Sequence, residues 1–489
     1  MVTFQQLRTA KLDTIQDQVD TWQNVSTKLT SLQTTATNVG TKISGGTWEG
    51  LSGFAAVGRT TTLSAELKDA ASEVNTVKGL LDWSKGQFVA QKNSLDQTVT
   101  AVNNDPRLTI SDTGHVKPDV EAITRQTGAP SVLELLEAQK AADTHNGNIK
   151  KILAWVSYVD AQSSDKLRAA VNLDSPKELD FNGEAAKDAD AVDFPGPADP
   201  AIAAAQSAAF EKTLGRPPVT ETDWKLAAAL DPTSRLDKNG GKDAVVAVGR
   251  ITPRPGEGLV RIGLYIPSKE VFNLPNYDLG DNRGMDPNFN PEDARVTLYV
   301  DYETGTVLAR QNPSVDTSGE VRVATPSVQV QESTNGAVRI QYDASNPFAP
   351  PGSDQTGHTV KGDITVSPGQ PPRVDGAIGD YPAFEAYHDS NNGPTTTLVQ
   401  DRADNEGNFG PLLELPTDHE IGAGRGGPPA QFKEWRHLSG DDWIAHGEAP
   451  STNLGDPGNP PTVTPYKPYG GSEFHPNAPG VPPTEGEFV

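Results

Sequence analysis

The sequence predicts an α+β multidomain chain: an N-terminal antiparallel helical hairpin or bundle, then an antiparallel β-rich domain, sandwich or open barrel, with small helices beside it. Three observations carry this. Of 40 prolines only Pro106, Pro118 and Pro130 precede residue 175, so the first part of the chain tolerates long helices and the remainder does not. Apolar residues recur at three- and four-residue steps from Phe4 to Val102, the period of a helix face. From Ala244 the period drops to two, that of a strand with one face buried. The organisation expected is a helical domain at 1–171, an acidic linker at 172–200, a β-rich domain at 201–422 and a Pro/Gly-rich tail at 423–489.

Phe4, Leu7, Ile15, Val19, Trp22, Leu29, Leu32, Ala36 and Val39 place one apolar stripe on a first helix. Leu63, Leu67, Ala70, Val74, Val77, Leu81, Phe88, Leu95, Val99 and Val102 place another on a second. Neither helix can bury its stripe alone. Residues 44–54, SGGTWEGLSGF, lie between them with Gly45, Gly46, Gly50 and Gly53 to stop the first helix and reverse the chain, so the reading is a hairpin closed by its own seam. In RLTISDTGHVKPD, 107–119, Leu108 and Ile110 alternate before an Asp112-Thr113-Gly114 turn, which predicts a small β-hairpin. A third helix is expected after Pro130, with Val132, Leu135, Leu136, Ala142, Ile149, Ile152, Val156 and Val159 on one face, ending near Val171.

Trp48-Glu49-Gly50, set between two helices of some 40 residues, resembles the W-x-G turn of the WXG100 superfamily of type VII secretion substrates. The resemblance implies that Trp48 and Gly50 form the hairpin turn, that the helical region serves export and pairing, and that the partner is a WXG100-type or chaperone protein. A tryptophan that simply plugs the end of a helical pair is the plainer reading of Trp48, and the two overlap. Such substrates carry Y-x-x-x-D/E beyond the second helix, yet 84–130 contains no tyrosine; matches such as Tyr277 to Asp281, Tyr299 to Glu303 and Tyr381 to Glu385 lie in the Pro-rich part. The order of helical hairpin, β-hairpin and long helix resembles longer actinobacterial, especially mycobacterial, relatives, some named for TPR repeats, although no 34-residue self-similarity appears here.

Residues 172–200 are rich in acids and poor in large apolar side chains, a composition that cannot hold a core. Ala201 to Leu214 and Trp224 to Leu230 regain helical character. The strands expected next are AVVAVGRI, LVRIGLYI, RVTLYVDY, TVLARQN, EVRVAT, SVQVQES, AVRIQYD and VKGDITVS, parted by turns such as Pro255-Gly256, Glu303-Thr304-Gly305, Asn335-Gly336 and Pro368-Gly369. Short spacings without intervening helices favour an antiparallel meander. LGRPP at 214–218, DWKLAAALDP at 223–232, YIPSKEVF at 265–272, the Asp278 to Gly284 stretch, VDYETGTVLARQNPSVD at 300–316 and YPAFEAYHD at 381–389 resemble a conserved uncharacterised mycobacterial protein family, which implies a fold and an origin but no reaction. From about Gly422 the sequence turns Pro-rich and an extended tail is expected.

Composition narrows function. With 65 acidic against 41 basic residues the net charge is −24, and such a surface repels phosphate, which argues against nucleic acid and anionic membrane as partners of the whole chain. The absence of cysteine removes disulfides, thiolate metal sites and cysteine nucleophiles. The first residues hold no apolar leader core and no apolar run approaches the length of a membrane span, so a signal-peptide-independent route to the envelope or the medium is expected, from the cytoplasm.

Motifs for chemistry are sparse. His419-Glu420 is not followed by the second histidine of H-E-x-x-H, and the acidic turn at 237–243 has Val248 where a calcium loop needs a bidentate Glu. Asp281, Asp286 and Asp293 form the richest oxygen cluster, for which a solvated loop competes with a hard-cation site. No G-x-S-x-G elbow, Walker or dinucleotide fingerprint is present. His437, Asp441, Asp442, His446 and Glu448 fall within twelve residues, enough for an acid/base pair but with little around them to bury it. No cofactor and no catalytic residue is assigned. The function expected is therefore non-enzymatic: a secreted or envelope-associated type VII protein whose helical region handles export and pairing and whose β domain binds a partner or ligand. The alternatives are a polymorphic toxin with a C-terminal effector and a structural component of the secretion apparatus. The candidate binding loop is 273–293, with Tyr277, Asp278, Asp281, Arg283, Asp286 and Phe289; a loop that packs over the sheet edge is the competing reading.

Overall fold

The computed structural model describes residues 2–47, 50–128, 132–171, 199–267, 280–315, 320–345, 359–390, 395–402, 414–415, 417–422, 432–439 and 442–466. The chain divides into two compact units, Met1–Ser207 with Pro217–Trp224, and Ala208–Arg216 with Lys225–Val489. Together they make an α+β multidomain protein. No helix among the described residues is long and apolar enough to cross a membrane.

In the first unit α1 (Phe4–Thr9) and α2 (Asp13–Lys42) precede α3 (Leu51–Asn104), which at 54 residues is about 80 Å long. The hairpin β1 (Leu108–Ile110) and β2 (Val116–Pro118) and the short α4 (Val120–Thr127) lead into α5 (Val132–Val171). The β-hairpin has the expected turn; α4, capped by the Asp119 carboxylate on Ala122 N–H, is an addition. Gly114 allows the turn to lie against Phe4, since a Cβ there would stand 2.4 Å from the Phe4 ring.

The base of the unit is a three-helix bundle. Leu95, Val99 and Val102 of α3 pack with Phe4, Leu7, Leu108, Val116, Ile123 and the α5 residues Ala142, Ile149, Ile152 and Val156. Trp22, Val77, Leu80, Leu81 and Leu167 form a second cluster above it, and buried Ser84 and Ser163 bridge α3 to α5 at 2.7 Å. Beyond this level the expected apolar seam is not closed. The α2–α3 contact there is made by small and polar groups: Ser26 Oγ to Asn75 at 2.8 Å, Thr37 Oγ1 to Ser64 Oγ at 2.9 Å, and Gly40 against Thr60. The stripe residues Leu32, Val39 and Leu63 are 55, 43 and 46% exposed. α5 reaches Val77 and Leu80 through Leu167 and ends four residues later at Val171, so among the described residues its packing stops at this level.

The second unit is a β-sandwich preceded by α6 (Pro200–Leu214) and α7 (Glu221–Leu230), of which residues 208–214 and 225–230 belong to it. One six-stranded antiparallel sheet contains, in spatial order, β15 (Asp418–Ile421), β12 (Arg373–Gly379), β11 (Thr359–Ser367), β10 (Val338–Ser345), β9 (Ser327–Glu332) and β18 (Thr452–Asn453). The other runs β14 (Thr396–Asp401), β13 (Ala383–Asp389), β4 (Leu259–Tyr265), β5 (Val296–Asp301), β6 (Thr306–Gln311) and β3 (Val245–Arg250). Their facing sides share one core, with Val260, Ile262, Leu264, Leu298, Val300, Val307 and Phe384 against Val330, Val338, Ile340, Ile364, Val366 and Ile378. Two small hairpins, β7 (Ser314–Val315) with β8 (Val321–Arg322) and β16 (Lys433–Ser439) with β17 (Asp442–Glu448), complete the strands. The expected run EVRVAT contributes only the two residues of β8, because it pairs with the equally short β7 outside both large sheets.

The expected extended tail from residue 423 is partly built into the fold. Besides the β16–β17 pair, β18 adds to β9, Leu454 N–H donates to Val328, and Val248 and Gly455 exchange backbone hydrogen bonds at 2.8 and 3.0 Å. Val463 N–H donates to Arg250 at 2.7 Å and Tyr466 N–H to Glu332 at 2.6 Å. Residues 452–466 thus strap the β9 edge of one sheet to the β3 edge of the other. Prolines do not prevent this, because a strap on an edge needs only some of its N–H groups.

Candidate functional site

Two places gather ionisable side chains in the second unit: the outer face of the β14–β3 sheet, and the corner where β14 meets β15. The outer face follows from alternation. On β4, β5, β6 and β13 the residues between the core positions are Arg261, Thr297, Tyr299, Arg310, Glu385, Tyr387 and Asp389. This polar face is nevertheless buried, under residues 225–231 and 280–295.

Its charged groups find partners within the fold. Asp389 receives Arg261 Nη2 at 3.1 Å, Lys225 Nζ at 2.7 Å and Thr395 Oγ1 at 2.6 Å. Burial alone pushes the Asp389 carboxyl up, but Arg261 and Lys225 outweigh it and hold it well below the usual carboxylate range. Arg310 donates to Asn312 Oδ1 at 2.8 Å and caps the last carbonyls of α7, Ala229 and Asp231, where a cation suits the helix end. Glu292 accepts Arg235 N–H at 2.7 Å, and Arg235 pairs with Asp231. Tyr299, wholly enclosed in this layer, has its hydroxyl pushed up to about 12 by burial.

The candidate loop is part of this layer. Of its six residues Tyr277 and Asp278 lie outside the described residues, and the other four face their own fold. Asp281 accepts Arg295 Nε at 3.0 Å and Ile266 N–H at 2.8 Å. Arg283 pairs with Glu385 at 2.6 Å and lies over the Tyr265 ring at 4.0 Å from its centroid. Phe289 is buried beneath Arg261, 5.2 Å from the guanidinium carbon. Asp286 is held through its backbone, its N–H donating to Glu385 Oε2 at 2.9 Å, while its carboxylate accepts Asn288 N–H. Asp281, Arg283 and Phe289 thus fasten residues 280–293 to the outer face of the sheet. Asp281, Asp286 and Asp293 do not converge, and among the described residues no group of three His, Asp or Glu side chains is arranged to hold a metal ion.

In the W-x-G turn, Trp48 lies outside the described residues. Gly46 and Gly50 have φ of 93° and 92°, and the Gly50 carbonyl accepts Phe54 N–H at 3.1 Å to open α3. Of the tyrosines in Y-x-x-x-D/E matches, Tyr299 and Tyr381 are buried and Tyr277 lies outside the described residues. His437, Asp442, His446 and Glu448 fall on β16 and β17; their side chains, and Asp441 altogether, lie outside the described residues.

The second cluster escaped the sequence. His419 on β15 places Nδ1 2.8 Å from Asp380 Oδ1 and Nε2 3.2 Å from Asp401 Oδ2. Asp380 follows β12 in the turn to β13, with its N–H on the Thr417 carbonyl at 3.0 Å; Asp401 ends β14. The three residues are 39 and 18 positions apart with no motif among them, and only the sheet topology brings them together. Comparison with known protein families and with curated proteins finds no match to this chain.

Proposed function

We propose that this chain is a non-enzymatic, secreted or envelope-associated protein of a type VII secretion system, in which the helical unit serves export and pairing and the β-sandwich is a binding scaffold. The observation that carries the reading is the apolar exposure of the distal hairpin. Leu51 and Phe54 at its tip are 91 and 79% exposed and Leu32, Val39 and Leu63 about half exposed, while the contacts between its helices include Ser, Thr and Gly. Exposed apolar side chains on a helix pair are what a helical partner buries. The W-x-G turn supports the same reading from the sequence. In the sandwich the charged groups of the outer face are consumed in structural pairs, which favours recognition by surface over catalysis by that layer.

The test is fractionation of the native protein into cytosol, envelope and medium with and without a working type VII system, joined to capture of small helical proteins by wild type and by L51D/F54D. Loss of the protein from envelope and medium when the system is disabled, and loss of the partner in the variant, are expected. An unchanged distribution overturns the export reading, and toxicity of the sandwich unit expressed in a cell overturns the non-enzymatic one.

A further inference from the structure

The two sheets of the sandwich are joined differently at their two sides. On the β9/β3 side the strap of residues 452–466 ties the edges with backbone hydrogen bonds. On the β15/β14 side, besides the packing of Leu398 and Val399 on the shared core, the hydrogen-bonding link among the described residues is the side chain of His419, which contacts Asp401 of β14 through one ring nitrogen and Asp380 through the other. A neutral imidazole has one N–H and one lone pair, so it can donate to only one carboxylate and turns its lone pair on the other. The imidazolium has two N–H groups and satisfies both. We propose that His419 is a proton-operated latch: protonated, it fastens β14 to β15; neutral, it keeps Asp380 and releases Asp401.

Asp401 is the contact that gives way, for two reasons. Its side chain is 36% exposed against 12% for Asp380, so water replaces its lost hydrogen bond more readily, and its distance is longer, 3.2 against 2.8 Å. The other charged groups on the strands that meet here have their own places. On β15, Asp418 pairs with Lys361 of β11 at 2.9 Å, and Glu420 lies two residues further on. Arg373 and Asp375 of β12 pair with each other at 3.0 Å, Glu385 and Asp389 of β13 are bound by Arg283 and Arg261, and Arg402 follows β14. His388 on β13, opposite Thr396, is the other imidazole near β14, and its Nε2 lies 3.0 Å from the Glu257 carbonyl. Among the described residues these are the two imidazoles on the strands that meet at this corner, and their two variants separate one from the other.

The experiment is amide hydrogen exchange of the full chain at pH 5.5 and pH 8.0, corrected for intrinsic rates, read at β14 and β15 with the β3–β6 pair as internal reference. The expected result is that β14 opens measurably more at pH 8.0 than at pH 5.5 relative to the β3–β6 reference, because the Asp401 contact needs the second ring N–H. In H419Q, which keeps a hydrogen-bonding side chain without titrating, the ratio should fall to about one, and in H388Q it should persist. D401N offers either a donor or an acceptor to the ring, so its ratio should also fall to about one, and it serves if H419Q fails to fold. A pH-independent wild type, a response that survives in both H419Q and D401N, or one that disappears in H388Q would overturn the latch.

Discussion

Asp389→Asn is the sharpest probe of the buried outer face. The Asp389 side chain is 3% exposed and Arg261 2%, so the substitution leaves a buried guanidinium and the Lys225 ammonium without their counter-charge while volume and shape barely change. Breaking a buried pair by removing one partner costs about 3–5 kcal/mol, mostly from the charge left behind, whereas an exposed pair is worth about 0–1 kcal/mol. A loss of about 3 kcal/mol is expected, because the Asn carbonyl still accepts one N–H. The pH dependence supplies an independent sign. Asp389 is held below the usual carboxylate range when folded, so its contribution is fully present above the unfolded value of about 4 and fades as pH falls further, through the folded value. The gap between wild type and variant should therefore be constant from pH 5 to 8 and shrink below pH 4. The assay is hydrogen exchange of the β4 and β13 amides against denaturant in the full chain, which isolates the sandwich from the helical unit. A loss under about 1 kcal/mol, or a gap indifferent to acid, would mean that this face is wet and that the layered account is wrong.

Other perturbations separate the helical unit's base from its tip. Gly50→Val should lower thermal stability of the helical unit by about 1–3 kcal/mol, because φ of 92° with ψ of −174° is a conformation β-branched residues avoid; space is not the obstacle, since nothing lies within 4 Å of a Cβ there. Leu80→Ala, at a wholly buried position of the second cluster, should cost about 2–5 kcal/mol in the same melt, while Leu51→Ala at the exposed tip should change it by less than about 0.5 kcal/mol and reduce partner capture instead. Truncation after residue 448 removes the strap with the buried Val463 and uncovers the β9 and β3 edges, so sedimentation should show more association than the full chain has under the same conditions.

Periodicity decided a great deal. The proline partition separated helical from β territory, and the three-to-four spacing located α2, α3 and α5 because each carries an apolar stripe over many turns. Alternation located β3 to β6 and β9 to β11, and the Asp112-Thr113-Gly114 turn placed the first hairpin. These features are local, written in residues a few positions apart. The strands from β12 onward were harder, because Gly376, Gly379 and the charges of β13 and β15 blur the alternation.

What only the tertiary structure decided is which faces are covered and which distant groups meet. Val39 and Val77 sit on equally apolar stripes, yet one is exposed and the other buried, because coverage depends on where α5 ends. The polar face bearing Arg261, Glu385 and Asp389 reads as a solvated one, yet it lies under α7 and the 280–295 loop; alternation reports a face's polarity and not whether another layer rests on it. For the same reason the sequence does not show that Asp281, Arg283 and Phe289 of the candidate loop contact their own fold. Asp380, Asp401 and His419 have no period at all, since they meet only because the crossover between sheets brings β12, β14 and β15 to one corner, and such a meeting leaves no spacing in the sequence to read.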